Sequence, residues 1–554
     1  MTEDKFGKIN TLKDLLEYST KEYASGVMNA FAGGEPVSYR AFGEKVKDLR
    51  EVLKSLGVGF GDRIAIYTHN TPDYGVIYFA AVSMGAVVVP LLPDFSTAEL
   101  ENLLAHSGSK VLFVSRRLRS RVEAIDLPEL KIRIEIEGFS VYESPDSATV
   151  ESAVEREVAP EDMASIVYTS GTTGKSKGVV LTHHNLVAQV KMTIKIQPVD
   201  TTSVFLSILP LPHAYEGSLG FLLPVLGGSS VYYMEKPPTP AILLPTMQKI
   251  KPTHILTVPL IAEKVFKNTV LPKLTGNVVT RYLYKTGLGR KLLHRIAGKK
   301  LYETFGGRLV FFGIGGAKLD YLTERFLYEA KFPYAIGYGL TETAPLLSAA
   351  LTHNVKPGSA GFKLEEVEMK INDVNDDGVG ELWVKSPSLM PGYYREQELT
   401  DMVITPDGWF KTGDLVKVSR AGRIYIRGRL KNVILTSSGE NIYPEDIESL
   451  INNFHFVQES LVVEQKGKLV AMVKVNYEEL ESQYNKIKEE WQSKIEENYR
   501  EIEKKVEELK QELQLYVNSK VNRFSQISAV VVLPFASEFE KTPTMKIKRY
   551  LYGQ

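Results

Sequence analysis

Apolar and polar positions follow two periods along the first two thirds of the chain. TLKDLLEYSTKEYA and YRAFGEKVKDLREVLKSLGV repeat apolar residues every three or four positions and predict amphipathic helices, whereas DRIAIYT and KVLFVS are short apolar runs of strand type. Strands alternating with helices predict βαβ units and mostly parallel sheets. The alternation resumes beyond residue 180 in SVFLSILP, SSVYYM, THILTVP and RLVFFGIGGA. From about residue 360 the texture changes. MKINDVNDDGVGELWVKSP and GRIYIRGRLKNVILTSSGENIYP carry Asp-Gly and Gly turn chemistry between short alternating runs, which predicts a small β-rich unit. A mixed α/β tail follows Arg429.

Three stretches depart from this pattern. Tyr74 to Pro93 contains no charged residue and is long enough to span a bilayer. Gly85, Pro90 and Pro93 interrupt it, so a buried helix running into a buried strand is the expectation. Residues 477–523 lack Gly and Pro and place Leu480, Tyr484, Ile487, Trp491, Ile495, Tyr499, Ile502, Val506, Leu509 and Leu513 at helical spacing. This long helical segment either packs back on its own domain or forms a coiled coil. RYLYKTGLGRKLLHRIAGKK, residues 281–300, is strongly basic with interleaved Tyr, Leu and Ile. It reads either as a solvated helical face or as a patch for peripheral contact with an anionic membrane.

The 554 residues contain no cysteine, which removes disulfides, thiolate metal sites and a cysteine nucleophile from consideration. Lys plus Arg and Asp plus Glu both number 67, so the net charge is zero and nothing suggests a nucleic-acid partner. The opening MTEDKFGKIN is polar, unlike a secretory leader, and the expectation is a cytoplasmic protein.

YTSGTTGKSKGVVLTHHN, residues 168–185, carries the most chemistry. Gly171 and Gly174 let the backbone curl round an anion, Thr169, Ser170, Thr172 and Thr173 offer hydroxyls, and Lys175 and Lys177 add positive charge. These features point to a loop that handles phosphate, or to an ordinary solvated loop. It is no Walker A loop, since that spacing needs a glycine at Thr169, and GIGGAK (313–318) fails the dinucleotide spacing.

The same residues resemble the signature [YF]TSGTTGxPKGV of the AMP-forming superfamily of acyl-CoA synthetases, peptide-synthetase adenylation domains and luciferases, with Ser176 where proline is usual. LPLPHAYE (209–216), GIGGA (313–317), GYGLTE (337–342), GWFKTGDL (408–415), GRLKNVI (428–434) and KTPTMKIKR (541–549) resemble further motifs in that family's order. The resemblance implies an adenylate-forming α/β fold. A large N-terminal domain, 1–430, would hold two α/β subdomains and a β-rich subdomain, and a small mobile C-terminal domain, 431–554, would pivot at Lys431. From Lys431 onward there are 17 basic and 20 acidic residues, so the C-terminal part would carry −3 and the N-terminal part +3.

The resemblance also implies roles. Lys546 matches a catalytic lysine between carboxylate and α-phosphate, although Thr544 and Met545 depart from the usual SGK context. Glu342 matches a Mg²⁺-associated carboxylate and Thr341 an α-phosphate contact. Tyr338, beside Gly339, would stack on adenine with the Gly315–Gly316–Ala317 backbone along its edge. Asp414 and Arg429 would hold the ribose, and Ser437, Ser438 and Gly439 would line a pantetheine channel. LPLPHAYEG, HILTVPLIAEKVF and LTSSGENIYPEDIE resemble the long-chain fatty acyl branch, in which His213 and Tyr215 flank the acyl tunnel. The implied activity is a ligase that joins a fatty acid to ATP and passes the acyl group to CoA. Rivals are transfer to acyl carrier protein, another use of the adenylate, or a nucleotide-binding interaction protein. Oligomeric state is left open.

Overall fold

The computed structural model describes residues 5–145, 152–169, 176–236, 238–435, 441–465, 467–477, 495–534, 537–542 and 547–553. Two large sheets dominate. The seven-stranded sheet runs, in spatial order, Ser140–Glu143, Ile132–Glu135, Val111–Val114, Arg63–Tyr67, Val87–Leu91, Met163–Thr169 and Lys177–Thr182. Its inner strands are parallel and both edges antiparallel. Alternation sorts the side chains: Ile64 and Ile66 join one core, Ala65 and Tyr67 the other.

The nine-stranded sheet runs Phe362–Lys363, Leu346–Ala350, Tyr334–Gly339, Phe311–Ile314, His254–Thr257, Val204–Ser207, Ser230–Tyr233, Val27–Phe31 and Val37–Ser38. It too is parallel in the middle and antiparallel at the ends. Helix Pro72–Ser83 touches strands of both sheets, and every residue from Tyr74 to Ser83 is buried. A helix between two sheets has no water-facing side, which explains the uncharged stretch read in the sequence. Thr71 caps this helix and strand Val87–Leu91 follows it, wholly buried. Among the described residues, no helix is long and apolar enough to cross a membrane.

An antiparallel four-stranded sheet, Glu368–Asn372, Val379–Lys385, Phe410–Val418 and Ile424–Arg429, forms the expected β-rich unit. After the short turn Leu430–Asn432, strands Val457–Gln465, Lys468–Val475 and Ala529–Val532 make a separate small sheet. Helices Pro444–Ile451 and Ile495–Asn518 pack on it. Ile447, Ile451, Val462, Val473, Leu513 and Val517 share a core of their own. Leu509, Leu513 and Val517 are buried, so this end of the long helical segment packs back on its own unit. Leu480, Tyr484, Ile487 and Trp491 lie outside the described residues.

Candidate functional site

The phosphate-type loop is framed by an antiparallel pair. Strand Met163–Thr169 leads in and Lys177–Thr182 leads out, with Tyr168 opposite Gly178 and Thr169 opposite Lys177. Ser170, Gly171, Thr172, Thr173, Gly174 and Lys175 lie outside the described residues. The exit strand feeds helix His183–Ile196 through a capping box between Thr182 and Asn185. The histidine pair after the loop is structural at His183, whose Nδ1 accepts from Leu12 N at 3.1 Å.

The stalk of this loop meets the turn that follows strand Tyr334–Gly339. Tyr393 pairs with Val179, its hydroxyl donates to Glu342 Oε1 at 2.9 Å, and Lys177 Nζ lies 5.2 Å from its ring centroid. Burial, and then the adjacent Glu342 carboxylate, push the Tyr393 phenol up. The backbone carbonyl of Glu342 also accepts from Met390 N at 2.8 Å. Thr341 and Glu342 sit in the one-turn helix Thr341–Thr343, which Thr343 Oγ1 ties to the carbonyls of Leu340 and Pro345. Gly339 admits no side chain, because a Cβ there would lie 1.7 Å from Pro345 O.

A second junction joins the nine-stranded sheet to the β-rich unit. Tyr338 Oη donates to Asp414 Oδ2 at 2.7 Å, and Arg429 Nε lies 2.8 Å from Oδ1. Asp414 and Arg429 are cross-strand partners on neighbouring antiparallel strands. Thr412 completes the corner: its Oγ1 accepts from Asp414 N at 3.1 Å and its carbonyl accepts from Arg429 Nη1 at 3.1 Å. Burial, followed by the Asp414 carboxylate, raises the Tyr338 phenol well above its ordinary value. The site therefore presents a buried carboxylate (Asp414 is 4% exposed) bracketed by a phenol and a guanidinium.

Beside this corner lies an apolar recess. Tyr215, Gly313 and Gly337, the residue before Tyr338, are among the residues that line it, and helix His183–Ile196 supplies Thr193 and Ile196. A Cβ on Gly313 would lie 2.6 Å from the Phe311 ring and 2.9 Å from the Tyr215 hydroxyl, so glycine keeps the recess open there. Phe205, His254 and Phe311 are cross-strand partners on three neighbouring parallel strands. Their rings face one another at 4.7 and 5.9 Å between centroids. Burial lowers the His254 pKa to about 4, so the imidazole is neutral in this row. His213 and Tyr215 precede the π-helical turn Glu216–Leu222; of the two, Tyr215 reaches the recess wall.

Gly315, Gly316 and Ala317 follow strand Phe311–Ile314, with Gly316 at φ +86°. Lys318, next in line, forms an ion pair with Asp446 of the C-terminal unit at 2.6 Å. Asn375 Nδ2 donates to Tyr443 Oη at 3.2 Å, and Lys267 Nζ donates to Asn452 O at 2.7 Å, so helix Pro444–Ile451 rests on the body. Lys431 lies in the turn between the two units.

Two more of the sequence-derived segments are framed but not themselves described. Leu435 pairs with Asn441 around Ser437, Ser438 and Gly439, and Lys541 pairs with Ile547 around Lys546. Lys541 is anchored to Glu459 at 2.5 Å and Arg549 to both oxygens of Glu448 at 2.7 and 2.9 Å. Both anchors belong to the C-terminal unit. The sequence reading passed over Tyr393, which sits outside every quoted motif. It also passed over Thr412, although that residue lies inside GWFKTGDL.

No group of three or more carboxylate or imidazole side chains able to cage a metal occurs among the described residues. Glu342, a single carboxylate beside a phosphate-type loop, suits an ion that takes most of its ligands from water and phosphate oxygens.

Comparison with known proteins agrees with this geometry. Residues 19–394 match the family described as AMP-binding enzyme. A long-chain-fatty-acid–CoA ligase of Escherichia coli is 29% identical over 506 residues, covering 83% of this chain and 84% of the relative. A chloroplastic long-chain-fatty-acid–[acyl-carrier-protein] ligase of Arabidopsis thaliana is 26% identical, covering 84% and 76%. The solved structure of O-succinylbenzoate coenzyme A synthetase from Bacillus subtilis in complex with ATP and magnesium superposes with a TM-score of 0.74 at 22% identity. That match covers 97% of this chain and 98% of the other, and it shows that the two share the adenylate-forming fold.

Proposed function

This chain belongs to the AMP-binding enzyme family, and from that premise we propose that it is an ATP-dependent fatty acid–CoA ligase with a preference for long chains. It joins the acid to ATP, releasing pyrophosphate and leaving an acyl-adenylate, and then passes the acyl group to the CoA thiol with release of AMP. The observation that carries the reading is the apolar recess lined by Ala335, Ile336 and Gly337, on the strand whose next residue, Tyr338, bonds to the Asp414–Arg429 corner. An adenylating enzyme for a greasy acid needs a slot for the chain to open beside the nucleotide. Each buried CH₂ contributes about 0.8 kcal/mol, so a long chain repays an apolar wall.

In this reading Tyr338 flanks the adenine and Gly315, Gly316 and Ala317 run along its edge, while Asp414 accepts from the ribose hydroxyls, with Arg429 holding the carboxylate in place. Thr169 to Lys175 cradle the phosphates and Thr341 reaches the α-phosphate. Glu342, oriented by Tyr393, would hold a phosphate-bound Mg²⁺, which supplies positive charge where the pyrophosphate leaves. Lys546 neutralises the approach of carboxylate to α-phosphate, an electrostatic task rather than a proton transfer. His213 and Tyr215 gate the acyl slot, and Ser437 to Gly439 line the thiol path.

The C-terminal unit, 431–554, turns about Lys431 between the two half-reactions. Both anchors of the Lys546 segment lie in that unit, so the lysine would leave with it.

A panel of C2 to C20 acids with ATP and CoA, read out as AMP and acyl-CoA, tests the proposal. Long-chain acids should give both products at the highest kcat/KM. Pyrophosphate release without any CoA thioester, or transfer to acyl carrier protein alone, would overturn it.

A further inference from the structure

Helices Val278–Lys285 and Gly287–Thr304 form a hairpin on the outside of the nine-stranded sheet. One face of the second helix is buried through Gly289, His294, Gly298 and Leu301. Arg290 and His294 fasten that face to Glu329 of helix Tyr321–Glu329, at 2.9 Å from Arg290 Nη2 and 2.8 Å from His294 Nδ1. The opposite face is not the polar surface that a solvated helix requires. Leu288, Leu292 and Ile296, at i, i+4 and i+8, are 85%, 58% and 61% exposed. Val278, Val279 and Tyr282 of the first helix are exposed as well. Such a stripe in water marks an interaction surface.

Its charge says what it meets. Residues 264–302 hold ten Lys and Arg and not one Asp or Glu, in a chain whose net charge is zero. Lys291, Arg295 and Lys299, all exposed, run beside the Leu288–Leu292–Ile296 stripe at the same spacing. Two copies of this face brought together would set cations against cations, which argues against self-association. An apolar stripe flanked by cations is the composition of a helix lying in the interface of an anionic bilayer.

We propose that the hairpin 278–304 docks this enzyme on anionic phospholipid membranes, inserting Leu288, Leu292 and Ile296 among the acyl chains while Lys291, Arg295 and Lys299 meet the headgroup phosphates. The proposal goes beyond the catalytic reading and stands without it. Arg290 takes no part, being committed to Glu329.

Co-sedimentation with phosphatidylcholine vesicles, with and without phosphatidylglycerol, is the test. The full-length protein should pellet with the phosphatidylglycerol vesicles and lose binding as salt rises. Leu288→Asp/Leu292→Asp/Ile296→Asp should lower binding by about tenfold or more, and Lys291→Glu/Arg295→Glu/Lys299→Glu should abolish its salt dependence together with most of the binding. Melting temperature and pyrophosphate release with octanoic acid should match wild type in both variants, since none of the six residues lies in the site. Equal binding to vesicles lacking phosphatidylglycerol, or wild-type binding by either variant, would overturn the proposal. So would a wild-type dimer, seen by light scattering, that the aspartate variant converts to a monomer without vesicle binding in either form.

Discussion

The Tyr338 hydroxyl and the Asp414 carboxylate are 76 residues apart in the chain and 2.7 Å apart in space. One belongs to the nine-stranded sheet and the other to the β-rich unit, so this bond closes the corner between the two. Asp414→Asn keeps the shape and removes the charge that Arg429 and the ribose would share. A lost bond to a charged group costs about 1.5–3 kcal/mol, so the KM for ATP should rise roughly ten- to hundredfold. Tyr338→Phe should raise it less. Pyrophosphate exchange as a function of ATP concentration measures both.

Tyr393 donates to Glu342, and in the proposed site it would act through that carboxylate rather than on a reactant. Tyr393→Phe should leave the fold intact and raise the Mg²⁺ concentration needed for half-maximal pyrophosphate exchange by roughly tenfold, the usual scale for removing a group that orients a metal ligand. An unchanged Mg²⁺ titration would separate Tyr393 from the metal.

Gly313 leaves room in the recess that any side chain would take. Gly313→Val should shorten the preferred acid, with kcat/KM falling roughly fourfold per excluded CH₂, the equivalent of about 0.8 kcal/mol each. A substrate series on the variant, with octanoic acid as the control that should be least affected, reads this directly.

Glu216 is 1% exposed, its Oε1 accepts from Ser207 Oγ at 2.6 Å, and among the described residues its Oε2 has no partner. Burial raises its pKa from 4.5 to about 8. The folded chain thus holds this proton more tightly than the unfolded chain. The contribution to stability is full below about pH 4.5 and is lost as pH climbs to about 8. Glu216→Gln removes that slope, and at pH 8 it should be more stable than wild type by on the order of 1–3 kcal/mol. Urea unfolding of both proteins from pH 5 to 8.5 checks the sign.

Lys546→Ala should lower adenylate formation by orders of magnitude while sparing thioester formation from supplied acyl-adenylate. Equal loss in both half-reactions would count against a C-terminal unit that alternates between them.

Local physics made much of this molecule legible from residues alone. The period of apolar positions determined which segments became strands and helices, and the glycine and hydroxyl spacing of 168–185 pointed to phosphate. The ordered motifs pointed to Asp414, Glu342 and Tyr338. Only the tertiary structure decided what those side chains touch. Tyr393 lies 51 residues from Glu342 and in no motif, and Phe205, His254 and Phe311 meet only because three strands lie in register. Gly85, Pro90 and Pro93 already made the uncharged stretch at 74–93 a buried helix and strand in sequence, and the structure supplied the reason for its missing charges, packing between two sheets. The basic run at 281–300 was ambiguous, since sequence periodicity shows that a helix has two faces but not which one the body covers. Arg290 and His294 bind Glu329, and that contact turned the leucine face outward.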